Sequence, residues 1–167
     1  QKSKKFVVLV PDLPNNLIGW SSVIEELVKE YNPVAFVGSS LGGFYASFYA
    51  RKFEAIDILL NPAVLPAKGM KVYLGKNTNY STGEEFELTN ADIDHLANME
   101  KNIGSVKLSC NRSMVVVETG DEVLDYKNAV DFYAGAQIRV IKGGSHSLDS
   151  FEDQLDKISS FINNALN

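Results

Sequence analysis

A serine hydroxyl attacks a carbonyl carbon at neutral pH only when a neighbouring base takes its proton and a carboxylate holds that base in place. One set of residues in this chain has the order and surroundings that such chemistry needs. Gly38-Ser39-Ser40-Leu41-Gly42 fits the pattern G-x-S-x-G. It follows an apolar run, Val34 to Val37, and precedes small and aromatic residues from Phe44 to Ala50 that read as a buried helix. A strand turning sharply into a helix leaves little room for a Cβ. Glycine is therefore expected at positions 38 and 42, with a strained, exposed nucleophile at Ser40. The amide of Leu41, at the amino end of that helix, would then donate to an oxyanion.

The base must be a histidine, and the chain has two. His146 lies in Gly143-Gly144-Ser145-His146-Ser147, between the last strand-like run and a terminal helix, where a loop can project it over a sheet edge. His95 stands beside Asp92 and Asp94 on a polar helix, where a solvated surface role is expected. The acid belongs between Ser40 and His146, and Asp121, Glu122 and Asp125 all follow the strand-like Met114 to Val117. Asp121, directly after Glu118-Thr119-Gly120, is the first choice. Asp125 is second, with an N-cap as its competing role.

The same glycine-rich turn has a rival use, the cradling of a phosphate at a helix N-terminus. Neither G-x-x-x-x-G-K-[ST] nor G-x-G-x-x-G is present, which favours the nucleophile reading.

These residues need a scaffold that puts several loops on one side of a sheet. Phe6 to Val10, closed by Pro11-Asp12-Leu13-Pro14, predicts a first strand buried on both faces. Val23, Ile24, Leu27 and Val28 recur at helical spacing between Ile18 and Tyr31. Strands follow at Val34 to Val37, Ala55 to Leu60, Met114 to Val117 and Ile138 to Ile141, with helices at Tyr126 to Ala134 and Phe151 to Leu166. Lys68 to Lys107 loses clear periodicity, and within it only Ala91 to Met99 looks helical. Alternating strands and helices predict an α/β domain: a mostly parallel sheet, helices on both faces, and sites at the carboxyl ends of the strands. One core is expected for residues 1–167, with a short lid-like insertion at about 64–110.

Composition narrows the partners. The 167 residues carry 16 Lys plus Arg against 21 Asp plus Glu, a net charge of -5 that disfavours phosphate backbones, so nucleic acid is not expected. No apolar stretch approaches the roughly 20 residues of a membrane span. Cys110 is the only cysteine, read as a half-buried small hydrophobe, and with no internal disulfide available a cytoplasmic location is expected. No cluster of His, Cys and carboxylates has metal-ligand spacing, and neither metal nor organic cofactor is expected. The chain begins with Gln rather than Met, so its reading frame is expected to begin upstream.

The sequence resembles the small bacterial esterases of the α/β-hydrolase superfamily, the YqiA/YcfP-like group. The resemblance rests on Gly38-Ser39-Ser40-Leu41-Gly42-Gly43-Phe44-Tyr45-Ala46, Asn61-Pro62-Ala63-Val64, Tyr73-Leu74-Gly75, Tyr80-Ser81-Thr82-Gly83, Thr119-Gly120-Asp121-Glu122-Val123-Leu124-Asp125-Tyr126 and Gly143-Gly144-Ser145-His146, and covers nearly the whole chain. It implies a minimal α/β-hydrolase fold and an esterase or thioesterase acting on small acyl esters, with Ser40, Asp121 and His146 as triad. It also selects Asp121 over Asp125.

One departure matters. The opening strand and His-Gly-Phe type loop of that group, which supply a second oxyanion donor, have no counterpart before Phe6. Loss of one such donor costs about 100-fold to 1000-fold in turnover. A sheet lacking a strand also exposes an edge that invites another chain, so a homo-oligomer is a further expectation. A noncatalytic binding protein on the same fold is the alternative to the hydrolase.

Overall fold

A computed structural model of the chain describes residues 5–79, 82–103 and 109–167. Gln1 to Lys4, Lys107, and Tyr80 and Ser81 of the motif quoted above lie outside the described residues. In chain order the elements are α1 (Leu17–Tyr31), β1 (Ala35–Ser39), α2 (Leu41–Lys52), β2 (Ile56–Leu60), α3 (Pro66–Met70), a 3-10 turn (Lys71–Tyr73), β3 (Gly75–Thr78), β4 (Glu85–Leu88), α4 (Asn90–Ile103), β5 (Ser113–Glu118), α5 (Tyr126–Phe132), β6 (Gln137–Ile141) and α6 (Phe151–Ala165). Contacts divide them into two compact units, one built on Val34–Val64 and Ile103–Asn167, the other on Lys5–Pro33 and Leu65–Asn102.

The first unit is a parallel sheet in the order β1-β2-β5-β6. β2 and β5 are buried at every residue, as expected of central strands covered on both faces, and their sequences are accordingly near-continuous apolar runs. Leu59 lies opposite Val115 in the ladder. Together with Val117 they meet Ala46 of α2 and Ala129 and Tyr133 at α5, forming one core cluster. Strand alternation sends Ile58, Met114 and Val116 to the opposite face, where α6 packs on β2 and buries Ile158, Phe161 and Ile162. In parallel strands all carboxyl ends point one way. The turns after β1, β2, β5 and β6 therefore open at the same end of the sheet, and those turns carry Ser40, Asn61, Asp121 and His146.

The second unit holds α1, α3, the antiparallel pair β3-β4 and most of α4. The Asp92 carboxylate ties it together. Oδ1 accepts the amides of Leu17 (2.9 Å) and Ile18 (3.4 Å) at the start of α1, and Oδ2 accepts the Thr89 amide (3.0 Å) and hydroxyl (2.7 Å) at the start of α4. Burial pushes this carboxyl up. The Thr89 hydroxyl and the amides of Thr89, Leu17 and Ile18 pull it down further, so the net displacement is downward.

Four expectations need correction. Phe6 to Val10 is not a strand, and Val7, Val8 and Val10 are 89%, 78% and 87% exposed. Strand propensity describes fit to a pleated, half-buried surface, and no described strand pairs with this run. The aperiodic middle contains a hairpin: Lys76 lies opposite Glu87 and Asn77 opposite Phe86. Its strands, Gly-Lys-Asn-Thr and Glu-Phe-Glu-Leu, are too short and polar for a period-2 pattern to stand out. His95 is half-buried rather than solvated, with Nε2 2.8 Å from Ser21 Oγ across α1 and α4. Cys110 is exposed.

Candidate active site

Ser40 stands between β1 and α2 with φ 53° and ψ −124°, a region that side-chain-bearing residues rarely occupy. Such strain costs of order 1–3 kcal/mol and persists only where surrounding bonds over-determine it. Here the Ser40 amide donates to Leu60 O (3.0 Å), and Ser40 O accepts from Gly43 (3.0 Å), Phe44 (3.4 Å) and Ala63 (2.9 Å). A Cβ on Gly38 would lie 2.1 Å from Gly42 O, and one on Gly43 would lie 2.8 Å from Pro62 Cβ. Gly38 therefore behaves as the turn predicts. Gly42 does not: a Cβ there meets nothing within 4 Å among the described residues, and the second crowded position is Gly43. Leu41 opens α2, so its amide, next to the serine, has no intrahelical acceptor.

His146 lies in the turn between β6 and α6. Its Nε2 is 2.9 Å from Ser40 Oγ, and its Nδ1 is 3.0 and 2.9 Å from the two Asp121 oxygens. A carboxylate only accepts, so this network assigns the ring proton to Nδ1 and leaves the Nε2 lone pair facing the serine hydroxyl. The Asp121 side chain is 2% exposed and that of His146 22%. Asp121 is itself fixed, because Oδ1 accepts the amides of Val123 (2.9 Å) and Leu124 (2.8 Å).

The other two acids have different positions. Asp125 caps α5 through the Lys127 amide at 3.0 Å, its competing role in the sequence. Glu122 accepts the His146 amide at 3.0 Å, and that bond, ahead of any other influence, holds its carboxyl below the usual range.

The turns carrying acid and base are laced together. Thr119 N donates to Ile141 O (2.9 Å), Gly120 N to Gly143 O (2.8 Å), and Gly143 N to Thr119 Oγ1 (2.9 Å). A Cβ on Gly120 would lie 2.3 Å from Gly144 O. Two further residues join this lacing that sequence reasoning passed over. Glu118 accepts three amides of the His146 turn, and Asn61 Nδ2 donates to Ser145 O (3.0 Å) and His146 O (3.2 Å). The signal for Glu118 was present in the sequence: an acid closing the apolar run Met-Val-Val-Val on a strand buried on both faces must have partners.

A central parallel sheet with its loops at the carboxyl ends is common to open α/β folds, and the solved structures that superpose on this chain identify it as the α/β-hydrolase fold. Est1E from Butyrivibrio proteoclasticus is 17% identical with TM-score 0.69, over 91% of this chain and 72% of that one. The esterase domain of a Rhodothermus marinus protein is 15% identical with TM-score 0.59, over 91% and 67%. A monoacylglycerol lipase from Paleococcus ferrophilus is 14% identical with TM-score 0.65, over 90% and 76%. At these identities the likeness is one of fold. Residues 8–163 match the model of the uncharacterised protein family UPF0227, the YqiA/YcfP-like group that the sequence motifs resemble, and the chain belongs to that family.

Proposed function

We propose that the protein is a serine hydrolase cleaving small carboxylic esters or thioesters through an acyl-enzyme on Ser40. The observation that carries this reading is the continuous run Ser40 Oγ, His146 Nε2, His146 Nδ1 and Asp121, every step at 2.9–3.0 Å. Ser40 Oγ attacks the carbonyl carbon while Nε2 takes its proton, and Asp121 holds the tautomer and stabilises the imidazolium. The Leu41 amide donates to the tetrahedral oxyanion. Collapse breaks the bond to the alcohol or thiol, which leaves with the proton from Nε2. Water, deprotonated by the same nitrogen, then releases the acid and frees Ser40.

The test is hydrolysis of p-nitrophenyl acetate and butyrate, and of a short acyl thioester, by wild type and Ser40→Ala. Turnover by wild type that Ser40→Ala abolishes supports the reading. Equal rates in the two proteins, or none in wild type, reject it.

A further inference from the structure

The turn from residue 143 to 150 is irregular, with Gly143, Gly144 and Leu148 at φ 83°, 74° and 60°, so no helix or strand ladder fixes the position of His146. Its backbone groups are met from outside by two buried side chains. Glu118, 0% exposed, accepts Ser145 N (2.8 Å) and Asp149 N (3.0 Å) on Oε2 and Ser150 N (2.8 Å) on Oε1. Asn61, 2% exposed, donates from Nδ2 to Ser145 O and His146 O, while its Oδ1 accepts the Glu118 amide at 2.9 Å. Asn61 thus grips the His146 turn and the residue beneath it with one side chain. Gly144 completes the fit: a Cβ there would lie 1.8 Å from Glu118 Oε2.

Burial pushes the Glu118 carboxyl up, but the Ser150 hydroxyl and the amides of Ser150, Ser145 and Asp149 outweigh it, and the net displacement is downward. Among the described residues the Ser150 hydroxyl has no well-formed hydrogen-bond partner, and the three amides are the donors whose geometry is well formed. An ionised carboxylate is therefore available to bind three N–H groups, an arrangement that an amide side chain cannot reproduce, since half of its polar surface donates. Glu118 also reaches the acid, through the turn bond from Asp121 N to Glu118 O at 3.3 Å.

We infer that Glu118, anchored by Asn61, is a positioning residue: its buried carboxylate holds the turn that sets His146 between Ser40 and Asp121. This rests on the hydrolase reading for its catalytic consequence, though not for its geometry. The test compares wild type with Glu118→Gln by two measurements, the rate of Ser40 modification by a fluorophosphonate and the proton resonance of His146 Nδ1–H. Misplacing a base by about an ångström costs up to about 100-fold, so labelling by a folded Glu118→Gln is expected to fall about 10- to 100-fold. The Nδ1–H resonance is expected to shift or broaden, and KM for p-nitrophenyl acetate to stay within about twofold because Glu118 is fully buried and out of reach of substrate. A folded variant with unchanged labelling and an unchanged resonance overturns the inference.

If wild type itself does not label, the hydrolase reading fails, and the resonance alone decides the positioning role. If the variant does not fold, hydrogen exchange in wild type decides. Protection of the Ser145, Asp149 and Ser150 amides supports the clamp, and exchange at the rate of open chain overturns it.

Discussion

A Cβ on Gly38 would come within 2.1 Å of the carbonyl oxygen of Gly42, so the strand-to-helix turn that presents Ser40 closes only over a bare backbone at position 38. Gly42 is on the other side of that contact through its carbonyl, and a Cβ on its own Cα would meet nothing within 4 Å among the described residues.

The two glycines are therefore expected to respond differently to alanine. Gly38→Ala must move backbone and is expected to lose at least about 1–3 kcal/mol of stability, or fail to fold. Gly42→Ala, in the first turn of α2, is expected to be neutral or to gain about 0.5–1 kcal/mol. Urea unfolding of both variants checks this, and equal losses contradict it.

Asp121 bonds the His146 ring and Asp125 caps α5, so the two acids are expected to respond differently to substitution. Asp121→Asn lets the side chain donate to Nδ1, which puts the ring proton on Nε2 and takes away the acceptor for Ser40. Activity is expected to fall by about 10⁴-fold in a folded protein. Asp125→Ala removes only the α5 N-cap and is expected to cost about 1 kcal/mol of stability with activity retained. Ester hydrolysis together with thermal unfolding distinguishes the two.

Asp57 sits on β2 at 1% exposure, and among the described residues neither of its oxygens has a well-formed hydrogen-bond partner, Ser113 and Ser47 acting on it only weakly. Burial pushes its carboxyl from 3.8 up to about 6, against weaker opposing pulls from Ser113, Arg51 and Ser47. A folded-state value above the unfolded one stabilises the protein fully below about pH 3.8, and that contribution fades as pH rises through about 6. Relative to Asp57→Asn, wild type is expected to lose about 2 kcal/mol of stability between pH 4 and pH 7.5. Parallel stability curves for the two proteins contradict this.

Asp92 has the opposite sign. Its carboxyl is held below the ordinary value by the Thr89, Leu17 and Ile18 donors, so its contribution is present above the unfolded value and fades as pH falls through the folded one. Asp92→Ala leaves the first amides of α1 unpaired and is expected to cost about 1–3 kcal/mol at pH 7, with the loss shrinking in acid. Unfolding monitored through Trp20 on α1 reads this directly.

The residues that touch one another at the site were legible, because a strand, a tight glycine turn, a late loop histidine and a post-strand acid are each marked locally. β2 and β5 were legible for a similar reason: strands buried on both faces must be apolar throughout. Phe6 to Val10 carries the same signature without forming a strand, since an apolar run records burial potential and not the partner that provides it. The Glu118 and Asn61 clamp was not read from the sequence because its bonds join residues 27 to 85 positions apart, and no local pattern encodes such a distance. The motif predicts crowding at Gly42, whereas the backbone path places it at Gly43.

The central claim is that Ser40 is a nucleophile activated by His146, and fluorophosphonate labelling of the purified chain with peptide mass spectrometry tests it without knowledge of the substrate. The account predicts an adduct on Ser40 that disappears in His146→Ala and in Ser40→Ala. An unlabelled wild type, or labelling that persists at full rate in His146→Ala, contradicts it.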